Sequence, residues 1–202
     1  MGTEEKVIRV SVRNLVEFIM RGGDIDNRTS GSMEKEAMLM GGRLHRKIQR
    51  SMGSDYHAEV TMKTVIPCDG FSLQVEGRAD GIILHGEDEK KEAVIDEIKG
   101  VLRDLEYIEC PVGVHLAQAK CYAYIYALQN HIDEISVQMT YCHLDTEEIK
   151  RFTQDFSFDE LRLWFEDLIG KYKKWAEFQP IFYSVLPYSG VWLPMPFRQQ
   201  II

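Results

Sequence analysis

Between His57 and Lys99 the chain alternates apolar and polar residues through three segments, HAEVTMKTVI, FSLQVEGRADGIILH and EAVIDEIKG. The turn-rich PCDG and the charged GEDEKKE separate them. A period of two puts alternate side chains on one face, and short turns join antiparallel neighbours, so this stretch predicts a three-stranded meander. The meander constrains everything around it, because a sheet with apolar faces needs helices to cover them.

The flanking sequence supplies those helices. Ser11 precedes VRNLVEFIM, apolar at Val12, Leu15, Val16 and Ile19, which predicts a short helix with Ser11 as its N-cap. RGGDIDNRTSGS then reads as a loop. From Met33 to about Met52 apolar residues recur at helical spacing, at Met33, Ala37, Met38, Leu44, Ile48 and Met52. Gly41 and Gly42 lie inside that run against helical propensity and imply close approach by something. After the meander, HLAQAKCYAYIYALQ predicts a helix, EISVQMTYCHL a strand, EIKRFTQDF another strand, and FDELRLWFEDLIGKYKKWAEF a long amphipathic helix. The order predicts an α/β sandwich in which a central mixed sheet is flanked by helices. Trp164 and Trp175, on the last helix, read as core and domain-contact residues.

A chain of 202 residues suits one domain with a core that needs no disulfide or structural metal. The four cysteines, Cys68, Cys110, Cys121 and Cys142, have no CxxC spacing, so they read as reduced thiols in a cytoplasmic protein. MGTEEKVIRVSVRN places charges where a signal peptide needs an apolar run, and no stretch approaches a membrane span, so no membrane association is expected. The net charge is -8, from 24 Lys+Arg against 32 Asp+Glu, the wrong sign for holding phosphates by neutralisation alone. A site that collects divalent cations must nevertheless concentrate carboxylates, and the ions then carry positive charge toward phosphate. The run Arg43, Arg46, Lys47 and Arg50 remains locally basic.

Glu-x-Lys occurs several times, but only Glu97 and Lys99 lie in an apolar strand, VIDEIKG, with both side chains on one face. A buried lysine is costly unless paired. Asp80, in GRADGIIL on the neighbouring strand, can bring a second carboxylate toward Glu97. Two carboxylates and a lysine converging at strand ends suit phosphodiester hydrolysis. Oxygen ligands hold Mg²⁺ or Mn²⁺, the ion lowers the pKa of an attacking water, and the ammonium orients that water or offsets developing charge. Taken alone, the trio equally suits a Glu–Lys ion pair on an edge strand with Asp80 in a turn. Asp96 points to the face opposite Glu97, toward a hydrogen-bonding partner. Glu59 and Glu76 receive no role.

Four segments occur in order: GGRLH ending in His45, GRAD ending in Asp80, DEIK containing Glu97 and Lys99, and QAKCY from Gln118 to Tyr122. In this order they resemble the PD-(D/E)xK nuclease superfamily, in its RecB-like exonuclease branch, over roughly residues 10 to 150. The resemblance implies a restriction-endonuclease-like sandwich with Asp80, Glu97 and Lys99 as catalytic residues. It implies Mg²⁺ or Mn²⁺ bound by Asp80, Glu97, the Ile98 carbonyl and His45, whose face Gly41 and Gly42 leave open. It also implies that Gln118 and Tyr122, one helical turn apart, line the site and contact the DNA strand or the lysine. His115 and Tyr126 extend the same stripe, while Tyr124 and Tyr126 read as packing residues. Iron–sulfur relatives of this branch carry a carboxy-terminal cysteine cluster. No cysteine follows Cys142, so no iron–sulfur cluster is expected.

The expected activity is metal-dependent hydrolysis of DNA, as an exonuclease on single-stranded or end-exposed DNA in repair or recombination. The alternative is a nuclease fold that binds DNA or docks a helicase without cleaving, and an RNA-processing enzyme is a third reading. VWLPMPFRQQ, residues 191–200, resembles the lead-in to a superfamily 2 helicase of the DinG or XPD-like type. Residues 1–180 thus read as the nuclease domain and 181–202 as an extension or linker toward a helicase partner. No GxxxxGK[ST] sequence is present.

Overall fold

The computed structural model describes residues 6–20, 31–86 and 92–185, with side chains from 31–38 and 177–185 set aside. Most of the RGGDIDNRTSGS loop, residues 87–91 of GEDEKKE and the VWLPMPFRQQ segment lie outside the described residues. Six strands form one mixed sheet: β1 (Val7–Ser11), β2 (Tyr56–Cys68), β3 (Phe71–His85), β4 (Glu92–Val101), β5 (Glu134–His143) and β6 (Ile149–Ser157). Four α-helices accompany it: α1 (Val12–Met20), α2 (Gly31–Ser51), α3 (Gly113–Asn130) and α4 (Phe158–Val185). The expected α/β class with a mixed central sheet is what the chain adopts.

The sheet runs β1-β3-β4-β5-β6, with β2 on the other side of β3. The meander forms as expected, β2 pairing antiparallel with β3 and β3 with β4. β4 and β5 are parallel, joined through α3, and β6 returns antiparallel to β5. β1 was not expected from the sequence. It pairs parallel to β3 from Val7↔Ser72 to Ser11↔Glu76, and Ser11 then caps α1, its Oγ accepting the Asn14 N–H at 3.1 Å. α4 opens with a reciprocal cap, Ser157 Oγ accepting from Glu160 N–H while the Glu160 carboxylate accepts from Ser157 N–H. It extends to Val185, past the end expected near Phe178 and past residue 180.

β3 is longer than either neighbour on its β4 side. Residues 72–76 pair with β1 and residues 81–85 with β4, so GRAD, residues 77–80, spans a gap between the two. Opposite that gap, the β2–β3 ladder keeps its register but skips one pair, Glu59 with Asp80, between Ala58↔Gly81 and Val60↔Ala79, and Glu59 has φ of 60°. The inward face changes there. Leu73, Val75 and Ala79 point into the main core before Asp80, and Ile82 does so after it. Asp80 therefore sits where β3 changes face and parts from β4.

The main core lies under α1, α3 and α4 and includes Leu15, Leu73, Ile95, Ile125, Val137, Met139 and Phe165. Ala117, Ala119, Ala123 and Ala127 keep α3 slim enough to be buried on several sides. Tyr124 stacks on Phe165 at 4.4 Å, and Trp175 packs on Phe18 at 4.6 Å, as the packing reading of those aromatics anticipates. A smaller cluster of Leu44, Ile48, Ile98 and Cys142 seats α2 on the opposite face. Ile95 and Ile98 fall in different cores, as strand alternation requires. Among the described residues, no helix is long and apolar enough to cross a membrane.

Candidate functional site

β4 fixes the first pair. Glu97 and Lys99 share a face, and Lys99 Nζ donates to Glu97 Oε1 at 2.7 Å, with side-chain exposures of 6% for Glu97 and 23% for Lys99. Among the described residues, Glu97 Oε2 is buried without a hydrogen-bond partner. Burial pushes the Glu97 carboxyl upward, Lys99 opposes the shift, and the nearby Asp80 carboxylate adds to it.

Asp80 reaches across the gap where β3 and β4 part. Its Oδ2 accepts the Ile98 N–H at 2.8 Å, and its Oδ1 lies 3.4 Å from His45 Nδ1. Helix α2 brings His45 there and is pinned one turn later by Gln49, whose Nε2 donates to the Asp80 carbonyl at 2.9 Å. A Cβ on Gly41 would meet nothing within 4 Å, whereas one on Gly42 would lie 3.7 Å from Arg46 Nη1. The close approach expected at these glycines occurs at the backbone: a Cβ on Gly100 would lie 3.7 Å from the Gly41 Cα.

Helix α3 closes the other side. Tyr122 is buried, and its hydroxyl fills the space above Gly77, where a Cβ would lie 2.6 Å from it. Burial, then the Glu97 and Asp80 carboxylates, raise the Tyr122 pKa, so the hydroxyl keeps its proton as a donor. Gln118, 6% exposed, lies one turn earlier. Among the described residues it makes no hydrogen bond to Asp80, Glu97 or Lys99. His115, a further turn back, has its Nδ1 3.3 Å from the Tyr141 hydroxyl. Burial, then Lys99 and Arg13, lower its pKa to about 4, so it is neutral.

The structure thus joins Asp80 to His45 and to the Ile98 backbone, and Glu97 to Lys99. At Ile98 the group that Asp80 engages is the backbone N–H. Among the described residues, no three His, Cys, Asp or Glu side chains are drawn together closely enough to hold a metal ion. The donor set nonetheless fits a hard divalent cation: two carboxylates, one with an unpartnered buried oxygen, and an imidazole. Gln49 was missed, although its spacing of four from His45 marks it. Gly77 and Gly81 were also missed as the residues that make room for Tyr122 and Tyr56. The four cysteines form no disulfide, and Cys121 and Cys142 are buried.

No protein-family model matches the sequence. No curated protein matches it either. Among solved structures the chain is similar to one titled "Crystal structure of SSO0001", with 19% identity and a TM-score of 0.51 over 84% of this chain and 78% of that one. At that identity the likeness concerns the fold alone.

Proposed function

We propose that this chain is a metal-dependent deoxyribonuclease of the PD-(D/E)xK type, acting on single-stranded or end-exposed DNA. The observation that carries the reading is the Glu97 carboxylate: buried, paired through one oxygen with Lys99, unpartnered at the other, and in the field of Asp80. Such an arrangement is costly in a purely structural role, whereas a cation would satisfy the free oxygen and relieve the repulsion between the carboxylates.

In this reading Asp80 and Glu97, with His45 and the Ile98 carbonyl, hold Mg²⁺ or Mn²⁺. The ion supplies Lewis acidity and lowers the pKa of a bound water. Lys99 orients the attacking water through its ammonium and is itself aimed by Glu97. Tyr122, protonated and fixed over Gly77, donates toward the substrate strand, and Gln118 lines the same wall. Neutral His115 keeps a second positive charge away from Lys99.

The net charge of -8 favours the non-cleaving alternative, a module that binds DNA or docks a helicase without turnover. End-labelled single-stranded and duplex DNA, incubated with Mn²⁺, Mg²⁺ or EDTA, separates the two. Wild type is expected to degrade DNA only with metal, and Glu97→Ala and Lys99→Ala each to lose at least about 100-fold in rate. Metal-dependent cleavage retained by both variants would overturn the assignment, and binding without cleavage by wild type would establish the alternative.

A further inference from the structure

Past Lys99, β4 runs into a connection, residues 102–112, that is firmly held along its length. Leu105 and Ile108 are buried anchors. Asp104 accepts the Glu106 N–H at 3.0 Å and closes a single 3-10 turn, Leu105–Tyr107. Lys150 Nζ donates to the Leu105 carbonyl at 3.0 Å, and the Val112 N–H donates to the Tyr141 hydroxyl at 2.9 Å. This fixed segment turns large apolar side chains outward: Leu102 is 61% exposed, Tyr107 66% and Val112 46%. Scattered exposed apolar residues are ordinary, but Tyr107 and Val112 line one cavity together, and that marks a surface that binds something.

The cavity has a volume of about 550 Å³, and Val101, Arg103, Tyr107, Glu109, Val112 and Tyr141 are among its walls. Its place in the sheet ties it to the proposed active site. Val101 is two residues beyond Lys99 on the same face, about 7 Å along the strand. Tyr141, part of the floor, is the register partner of Lys99 in the β4–β5 ladder.

We propose that this cavity receives an unstacked nucleobase of a single DNA strand, beside the bond addressed by Asp80, Glu97 and Lys99; the inference rests on the nuclease reading. Its volume falls in the range of small-ligand sites. The Tyr107 ring offers a stacking face that every base can use, and the exposed Arg103 is placed for the backbone phosphate. Glu109 decides which part of the nucleotide enters. A carboxylate in the wall repels phosphate but accepts hydrogen bonds from a base's amino group. A paired base in a duplex cannot enter without leaving its stack, so the cavity selects single strands and frayed ends.

The test is binding of a fluorescein-labelled single-stranded oligonucleotide to the full chain in EDTA, followed by cleavage kinetics in Mn²⁺. Tyr107→Ala is expected to weaken binding roughly 5- to 150-fold, the worth of one base stacked on an aromatic ring, while Tyr107→Phe stays near wild type. In cleavage the loss appears in KM with kcat retained. One abasic position in the oligonucleotide should cost wild type a similar factor and cost Tyr107→Ala nothing further. Tyr107 is exposed, so the variant should melt with wild type. Wild-type affinity in Tyr107→Ala, or a loss shared equally by blunt duplex, would overturn the base site and indicate a protein-docking surface instead. Because binding is read in EDTA, failure of wild type to cut DNA sinks the nuclease assignment separately.

Discussion

Asp96 and Glu97 are adjacent, both buried, and opposite in circumstance. Asp96 is 0% exposed and accepts three hydrogen bonds, from Thr140 Oγ1 at 2.6 Å, Tyr56 OH at 3.0 Å and Gln138 Nε2 at 3.1 Å. Burial still raises its pKa, with those donors opposing. Glu97, on the other face, has only Lys99 as a hydrogen-bond partner among the described residues. Removing Asp96 strands three donors, so Asp96→Ala should destabilise the protein by about 2–4 kcal/mol. Removing Glu97 discards a carboxylate the fold does not satisfy and leaves Lys99 able to reach water, so Glu97→Ala should stay within about 1 kcal/mol of wild type. Millimolar Mn²⁺ should raise the melting temperature of wild type and leave that of Glu97→Ala unmoved, since only a ligand held by the native state shifts unfolding. Thermal unfolding of the three proteins with and without Mn²⁺ checks both statements. Equal metal stabilisation of wild type and Glu97→Ala would remove Glu97 from the ligand set.

At the scale of elements, β3 does most to position the site, and its Gly81, set beside Gly170 of α4, shows how tightly. A Cβ on Gly81 would fall 2.0 Å from the Tyr56 ring, which could move only by surrendering its bond to Asp96. Gly170, inside α4, faces open space. The same substitution should therefore have opposite signs: Gly81→Ala costs about 1–3 kcal/mol by overpacking, whereas Gly170→Ala gains up to about 1 kcal/mol from helix propensity. Urea unfolding measures both, and a neutral Gly81→Ala would mean that Tyr56 is free to move. The strands β2, β3 and β4 were legible because each runs ten residues or more between turn-rich or charged segments. β1 was not legible. It has five residues, of which Val10 alone is buried, and its partner is more than sixty positions away. The face change at Asp80 was equally hidden, since GRADG reads as uninterrupted strand and the positive φ lies on Glu59 of β2. The placement of Glu97 with Lys99 followed from period two. The gap that gives Asp80 the Ile98 N–H depends on β1 and β4 sharing one side of β3, a long-range arrangement with no local sign.

For the whole molecule the governing quantity is charge. A net charge of -8 repels a polyanion, so any DNA must approach where positive charge is concentrated and free. The outer face of α2, the helix carrying His45 and Gln49, is such a place. Arg43, Arg46 and Arg50 are exposed along it, while Lys47 is taken up by an ion pair with Glu147. If these three arginines each neutralise one phosphate of a single strand, each contributes about 0.7 to the slope of log affinity against log salt. Replacing all three, as Arg43→Gln, Arg46→Gln and Arg50→Gln together, should therefore flatten that slope by about 2, with the affinity loss greatest at low salt and similar for every sequence. Titrations of labelled single strands across a series of salt concentrations measure it. An unchanged slope would place the phosphate track elsewhere. Tyr107→Ala should behave oppositely, lowering affinity by a constant factor at every salt concentration, because stacking releases no counterions. A molecule that shows both patterns holds the strand by two separable devices, an arginine ridge on one side of Asp80 and an aromatic cavity beyond Lys99, with the carboxylates between them.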